Sequence, residues 1–456
     1  MSQIYLKNAY IITMNPTRDV YQKASILIEN DIIKEIGQIE EIKLNPKAEI
    51  LDVTGKIIMP GLINTHVHTS QQLARGIADD VDLLVWLIER IWPYESSLNY
   101  EDSLISSLAC CVELIKTGVT TFLEAGGQFV DAMVEAVDKC GLRACLTASI
   151  MDCGEGLPEK WRKSHKEYIQ FQEDLFQKYN DTSEGRIKIW FGLRTIFNNS
   201  DELIVETKQL ADKYRTGIHM HVAEVCEEID FVKKKTGHKG TIDHLNHLGV
   251  LGPNLLAVHS VWLTEEEIDL IKKNEVKVSH CPAAAMKVTL GFSKVKEMID
   301  KKICVSIGTD GAPSNNKMDL FRDLYLAALI HKGRTLNPKA LISEEILEMV
   351  TINAAKCSLM EDSIGSLEVN KKADLIILNP DFIGSLPCYN IINNIVYSMS
   401  SENVEATMCN GKWLIKNRKV LILDEEELIG KVKKMAMKIK DKIKVNDSKF
   451  NIIPNE

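Results

Sequence analysis

Ile57-Ile58-Met59-Pro60-Gly61-Leu62-Ile63-Asn64-Thr65-His66-Val67-His68-Thr69 is an apolar run, interrupted once by Pro60-Gly61, that ends in two histidines at i and i+2. Side chains alternate between the faces of an extended strand, so His66 and His68 point to the same side. Neutral imidazole is the commonest protein metal ligand, and two of them at one strand end can grip one cation. A chance pair beside a turn would read the same way locally, so the segments downstream decide.

From Ile57 to about Asn379, apolar runs alternate with amphipathic stretches. Candidate strands are Ile57–Ile63, Gly118–Glu124, Leu142–Ile150, Ile187–Leu193, Gly217–Val222, Leu255–Ser260, Val276–His280 and Ile303–Thr309. Helical patterns lie between them, several opened by a capping residue followed by acids, as in Thr264-Glu265-Glu266-Glu267. Eight such βα units predict an α/β chain built on a (β/α)8 TIM-type barrel. The rival is an open doubly wound sheet, but no glycine-rich phosphate turn follows the first strand.

The two chain ends read differently. Short apolar runs separated by turn residues fill residues 1–58, and they return in 373–423. Ile391–Tyr397 is read there as a strand, and Asn410-Gly411 as a hairpin turn. The expected division is a β module in 1–58 and 373–423, the barrel in 59–372, and an amphipathic helix and tail in 424–456. Of 456 residues 45% are hydrophobic and 26% charged, ordinary values for a globular protein. A net charge of −9 argues against nucleic acid or an anionic membrane as partner. With no leader-like start and no run of about 18 apolar residues, the expected location is cytoplasmic. Eleven cysteines without a C-x-x-C pair read as reduced core residues. Homo-oligomerisation is left open.

In a barrel the functional groups gather at the C-terminal strand ends. His66 and His68 end strand one, His219 and His221 lie in strand five with Glu224 after them, His259 ends strand six, and Asp310 follows strand eight. Histidines with a carboxylate suit Zn2+, or Fe2+ as second choice, and a cation there would lower the pKa of a water toward neutrality. Asp310 could accept that water's proton, and Glu224 could protonate the group under attack. Parity leaves His219 and His221 as alternatives. Asp310 could instead cap the segment after Ser314. His280 ends strand seven and reads as a supporting residue rather than a ligand, His238, His244 and His247 as surface residues, and His331 as a cation near a helix C-terminus. A Cys281 nucleophile has no activating neighbour beyond His280, and the H-x-E with P-C-x-x-C pattern of cytidine-type zinc deaminases is missing.

Pro60-Gly61-Leu62-Ile63-Asn64-Thr65-His66-Val67-His68, Gly118-Val119-Thr120-Thr121, His221-Val222-Ala223-Glu224, Ala257-Val258-His259-Ser260 and Gly308-Thr309-Asp310-Gly311 together resemble the amidohydrolase superfamily, in its branch of aminohydrolases and chlorohydrolases of nitrogen heterocycles. The resemblance spans about residues 2 to 420. It implies one divalent ion held by His66, His68, His221 and Asp310, with Glu224, His259 and Asp310 catalytic, and a small β-sandwich domain built from both chain ends. The stretch from Leu73 to Leu87, with Ile91-Trp92-Pro93-Tyr94-Glu95, is similar to the first loop of 5-methylthioadenosine/S-adenosylhomocysteine deaminases. That likeness implies Glu95 on ribose hydroxyls and Trp86 and Trp92 lining the pocket. Arg194 departs from the subfamily, which has a histidine in that region, and Arg194 cannot accept a hydrogen bond. The expected activity is hydrolytic removal of an exocyclic amine, from the adenine of 5'-methylthioadenosine or S-adenosylhomocysteine. The alternatives are a pterin, a guanine-like base or an s-triazine as substrate, and an inactive metal-dependent scaffold.

Overall fold

The computed structural model describes residues 2–39, 42–81 and 85–440. Positions 82–84 of the first-loop stretch and 441–456 of the C-terminal segment lie outside the described residues. Eight strand positions run in parallel order: Leu62–Val67, Val119–Glu124, Arg143–Leu146, Ile187–Ile189 continued by Phe191–Leu193, Ile218–Val222, Leu255–His259, Lys277–His280 and Val305–Ile307. The fourth position breaks at Trp190. Its first part pairs with Arg143–Leu146 and its second with Ile218–Val222. Strand eight meets strand one where Asp310 N–H donates to His66 O at 2.9 Å and Thr65 Oγ1 donates to Ile307 O at 3.1 Å. Nearly every residue of these strands is buried, as expected where helices cover one face and barrel side chains fill the other. Side chains of Asn99, Ser164 and Thr264 close capping boxes at the starts of Tyr100–Lys116, His165–Tyr179 and Glu265–Lys273.

The opening apolar run does not form one strand. Ile57–Pro60 pairs antiparallel with Leu375–Leu378 in an outer sheet, and only Leu62–Val67 enters the barrel. Gly61 marks the division, and a Cβ there would stand 2.2 Å from Thr120 Oγ1. Both halves are equally apolar, so the pattern could not separate them. The outer sheet has nine strands and takes in both chain ends, with Ile57–Pro60 between Gln3–Ile12 and Leu375–Leu378. Asn410 and Gly411, with φ of 51° and 72°, turn the hairpin between Val404–Cys409 and Lys412–Lys416.

Ile391–Tyr397, expected as a strand, is a helix. Asn390 caps it by accepting the N–H groups of Ile392 and Asn393, and its Ile395 and Val396 pack into the main core. The C-terminal helix, Glu425–Lys440, lies on Tyr100–Lys116, with Leu428, Met435 and Ile439 in a shared cluster and Lys116 paired to Glu425. Among the described residues no helix is long and apolar enough to cross a membrane. All eleven cysteines are free thiols, and the core reading fails for four of them: Cys226 is exposed, and Cys153, Cys304 and Cys388 are only half-buried.

Candidate active site

His66 is fully buried near the end of strand one. Its Nδ1 lies 2.8 Å from Nε2 of His219, which leaves Nε2 aimed at the barrel mouth, 3.4 Å from Asp310 Oδ1. His68, just beyond the strand, places Nε2 3.5 Å from the same oxygen. In strand five, His221 Nδ1 donates to the main-chain oxygen of Arg194 at 2.8 Å, and its Nε2 comes within 3.4 Å of His68 Nε2. The two strand-five histidines thus divide the work that parity left open: His221 stands beside His68, and His219 backs His66. Fixing one imidazole nitrogen by a hydrogen bond turns the lone pair of the other outward, which is how proteins orient metal ligands.

Ligand atoms of His66, His68 and His221 lie within 4.8 Å of one another, as do those of His66, His259 and Asp310. Among the described residues these are the only such groups. His66 Nε2 and both ring nitrogens of His259 are buried without a hydrogen-bond partner. Buried polar atoms without partners are costly, and several converging on one point fit a cation. Burial is the first cause holding His66, His68, His221 and His259 below the ordinary histidine range, so they stand neutral, the form that binds metals. Burial alone would raise Asp310. The imidazoles that face it, His66 first and then His68 and His259, outweigh it and keep the carboxyl well below the usual range. A cap on the following helix is not its role: Asp310 Oδ1 accepts only the N–H of the adjacent Gly311, at 2.6 Å.

Glu224 brings a carboxyl oxygen to 3.6 Å from His259 Nε2. Burial first, and then the charge of Asp310, push it up to about 7. Glu95 is buried, accepts from Gln71 Nε2 at 2.8 Å, and stands 4.0 Å from Arg194 Nη1, itself buried and without a hydrogen-bond partner. With Ser70, Gln128 and Ser149, Glu95 borders a cavity of about 10 Å3, room for a water but not a purine. Trp86 and Trp92 are not brought together. Trp86 packs with Leu73, Ile77 and Tyr94, whereas Trp92 packs with Met151, Leu157 and Trp161.

The remaining histidines correct the sequence reading in part. Among the described residues His280 falls in neither ligand group, and its Nε2 lies 3.1 Å from His331 Nε2. His331 is not a helix-end cation, because it is wholly buried and pushed down to about 4 by burial. His244 is buried against Asp201 at 3.0 Å, while His247 is exposed and His238 half-buried. Sequence reasoning missed Glu124, which ends strand two and accepts Thr69 N–H at 2.8 Å just past His68. Its place at a strand end was the available signal.

The model of the Amidohydrolase family matches residues 57–414. A Methanobrevibacter smithii protein named 5'-deoxyadenosine deaminase is 41% identical over 440 residues, 96% of this chain and 98% of its own. One from Thermoanaerobacter pseudethanolicus, named 5-methylthioadenosine/S-adenosylhomocysteine deaminase, is 34% identical over 95% of this chain and 98% of its own. The crystal structure of an adenosine deaminase from Xanthomonas campestris with bound zinc superposes with a TM-score of 0.91 at 26% identity, over 96% of this chain and 98% of that one. Matched over most of its length by the family model and end to end by such relatives, the chain belongs to the amidohydrolase family.

Proposed function

We propose that this protein is a metal-dependent hydrolase that removes the 6-amino group of an adenine nucleoside, with 5'-deoxyadenosine, 5'-methylthioadenosine and S-adenosylhomocysteine as the substrates to try first. The observation that carries the reading is one juxtaposition: a carboxyl raised to about 7, Glu224, beside a convergence of neutral imidazoles and an ionised aspartate. The names of the relatives support the adenine nucleoside. His66, His68, His221 and Asp310 would hold a divalent transition metal, Zn2+ ahead of Fe2+ given the zinc in the Xanthomonas structure. Such a metal supplies Lewis acidity that brings deprotonation of a water toward neutral pH.

The chain's own groups then handle protons and orientation. Asp310, ionised, accepts the proton of the attacking water on a carboxylate oxygen and passes it to the departing amine nitrogen. Glu224, largely protonated up to about neutrality, gives its proton to the ring nitrogen next to the carbon under attack and recovers one from the hydroxyl of the tetrahedral adduct as the oxo group forms and the carbon–nitrogen bond to the amine breaks. His259 holds the attacking oxygen in line. Water is consumed and ammonia released, so the ring carbon exchanges an amino group for an oxo group. Glu95 accepts from ribose hydroxyls, and the unpartnered Nη1 of Arg194 donates to the substrate. Small soluble substrates agree with the acidic net charge. The same reading treats 1–58 and 373–423 as a β-sandwich, 59–372 as the barrel domain and 424–456 as a helix and tail, supported by the ladder that joins the two chain ends.

Ammonia release measured across adenosine, its 5'-deoxy and 5'-thioether derivatives, guanine, a pterin and an aminotriazine tests the reading. Turnover of the 5'-modified nucleosides is expected. Activity confined to compounds without ribose would leave an aminohydrolase and refute the nucleoside.

A further inference from the structure

Glu224 makes no hydrogen bond with its own carboxyl among the described residues; its contact is His259 Nε2 at 3.6 Å. Its placement therefore rests on the main chain beneath it. Strand five ends at Val222, and Ala223 then turns through a φ of +50°, a left-handed conformation that residues with a Cβ rarely adopt. The turn points two successive N–H groups at one carboxylate. Ala223 N–H donates to Glu228 Oε2 at 2.8 Å, and Glu224 N–H donates to Glu228 Oε1 at 2.7 Å. Thr241 Oγ1 donates to Oε2 at 2.7 Å and steadies the carboxylate, which is 1% exposed. From the other side, Ala223 O accepts the N–H groups of Val261 and Trp262 at 2.9 Å each, just past His259. The unusual turn is thus clamped by hydrogen bonds from both sides.

We infer that Glu228 is a positioning residue for Glu224, acting through the Ala223–Glu224 main chain and touching no reacting atom. The inference rests on the reading of Glu224 as proton donor. Glu228 lies in the first turn of Glu227–Thr236, where an acidic residue commonly serves the helix alone. Here both carboxylate oxygens reach back to the strand-five exit instead. In Glu228→Gln one oxygen becomes an NH2 group, so one of the two N–H groups faces a donor.

The test compares wild type, Glu228→Gln, Glu224→Gln and the double variant, with Thr241→Val as a milder disturbance of the clamp. Expected is a fall in kcat for 5'-deoxyadenosine on the order of 10–100-fold in Glu228→Gln, with KM and metal content near wild type. In the Glu224→Gln background the same change should cost little more, because the residue it positions is already disabled. Full, additive loss in the double variant, or loss explained by missing metal, would overturn the inference. Hydrogen–deuterium exchange of the peptide containing Ala223 and Glu224 is independent of substrate. Faster exchange in Glu228→Gln and in Thr241→Val is expected, and unchanged exchange in both would overturn the clamp even if 5'-deoxyadenosine proved to be the wrong substrate.

Discussion

Two buried clusters of imidazoles sit at strand ends of the same barrel, and only one has the makings of a reaction centre. At the mouth, His66, His68, His221 and His259 share their space with the ionised Asp310, and several of their nitrogens lack partners. At strand seven, His280 and His331 meet through their Nε2 atoms at 3.1 Å, and among the described residues neither belongs to a group able to hold a metal. Burial lowers the pKa at both places. Buried histidine alone is therefore uninformative. A carboxylate among converging, unsatisfied lone pairs separates a cation site from a packed pair.

The largest expected effect breaks the mouth cluster at Glu224, its proposed proton donor. Glu224→Gln is nearly isosteric and should lose 10²–10⁴-fold in kcat on the order expected for a general acid, with metal content unchanged by elemental analysis. Metal loss in this variant would mean that Glu224 serves the cradle rather than the substrate. In the wild type, turnover that depends on protonated Glu224 should decline as pH rises through about 7.

A smaller effect tests how the cradle is supported. His68→Ala removes a proposed ligand and should leave the protein with much less metal than wild type. His219→Gln removes only the partner of His66 Nδ1 and should weaken metal binding on the order of 10–100-fold. Titration with a competing chelator measures both. If His219→Gln bound metal like wild type, His66 would be oriented by packing alone.

The smallest effect concerns the silent pair. His331 is held at about 4 in the fold, against an ordinary value of 6.5, so it stays neutral where an unfolded chain would take up a proton. Its contribution is complete above pH 6.5 and is lost as pH falls toward 4, a change of about 3 kcal/mol. Urea unfolding at pH 7 and pH 4.5 should show a smaller difference for His331→Gln than for wild type, with metal content the same at pH 7. An identical pH dependence in the two proteins would remove His331 as its source.

The amino-acid sequence by itself determined the repeating βα pattern and the strand ends bearing His66, His68, His221, His259 and Asp310. Both are local properties, since hydrophobic periodicity and ligand chemistry are readable one segment at a time. Tertiary structure decided what depends on neighbours distant in the chain. One apolar run is shared between two sheets, with Gly61 N–H donating to Asp374 O in the outer sheet and Leu62 N–H to Gly118 O beside the barrel, and Thr120 leaves no room for a Cβ at the crossing. Ile391–Tyr397 became a helix through its Asn390 cap and a core contact, where β-branched residues alone suggested a strand. The choice between His221 and His219 rested on how far along strand five each ring meets its neighbours, a distance that period-two alternation leaves undefined. His331, polar and near a helix end, was wholly buried because the partner that receives it, His280, is 51 residues away.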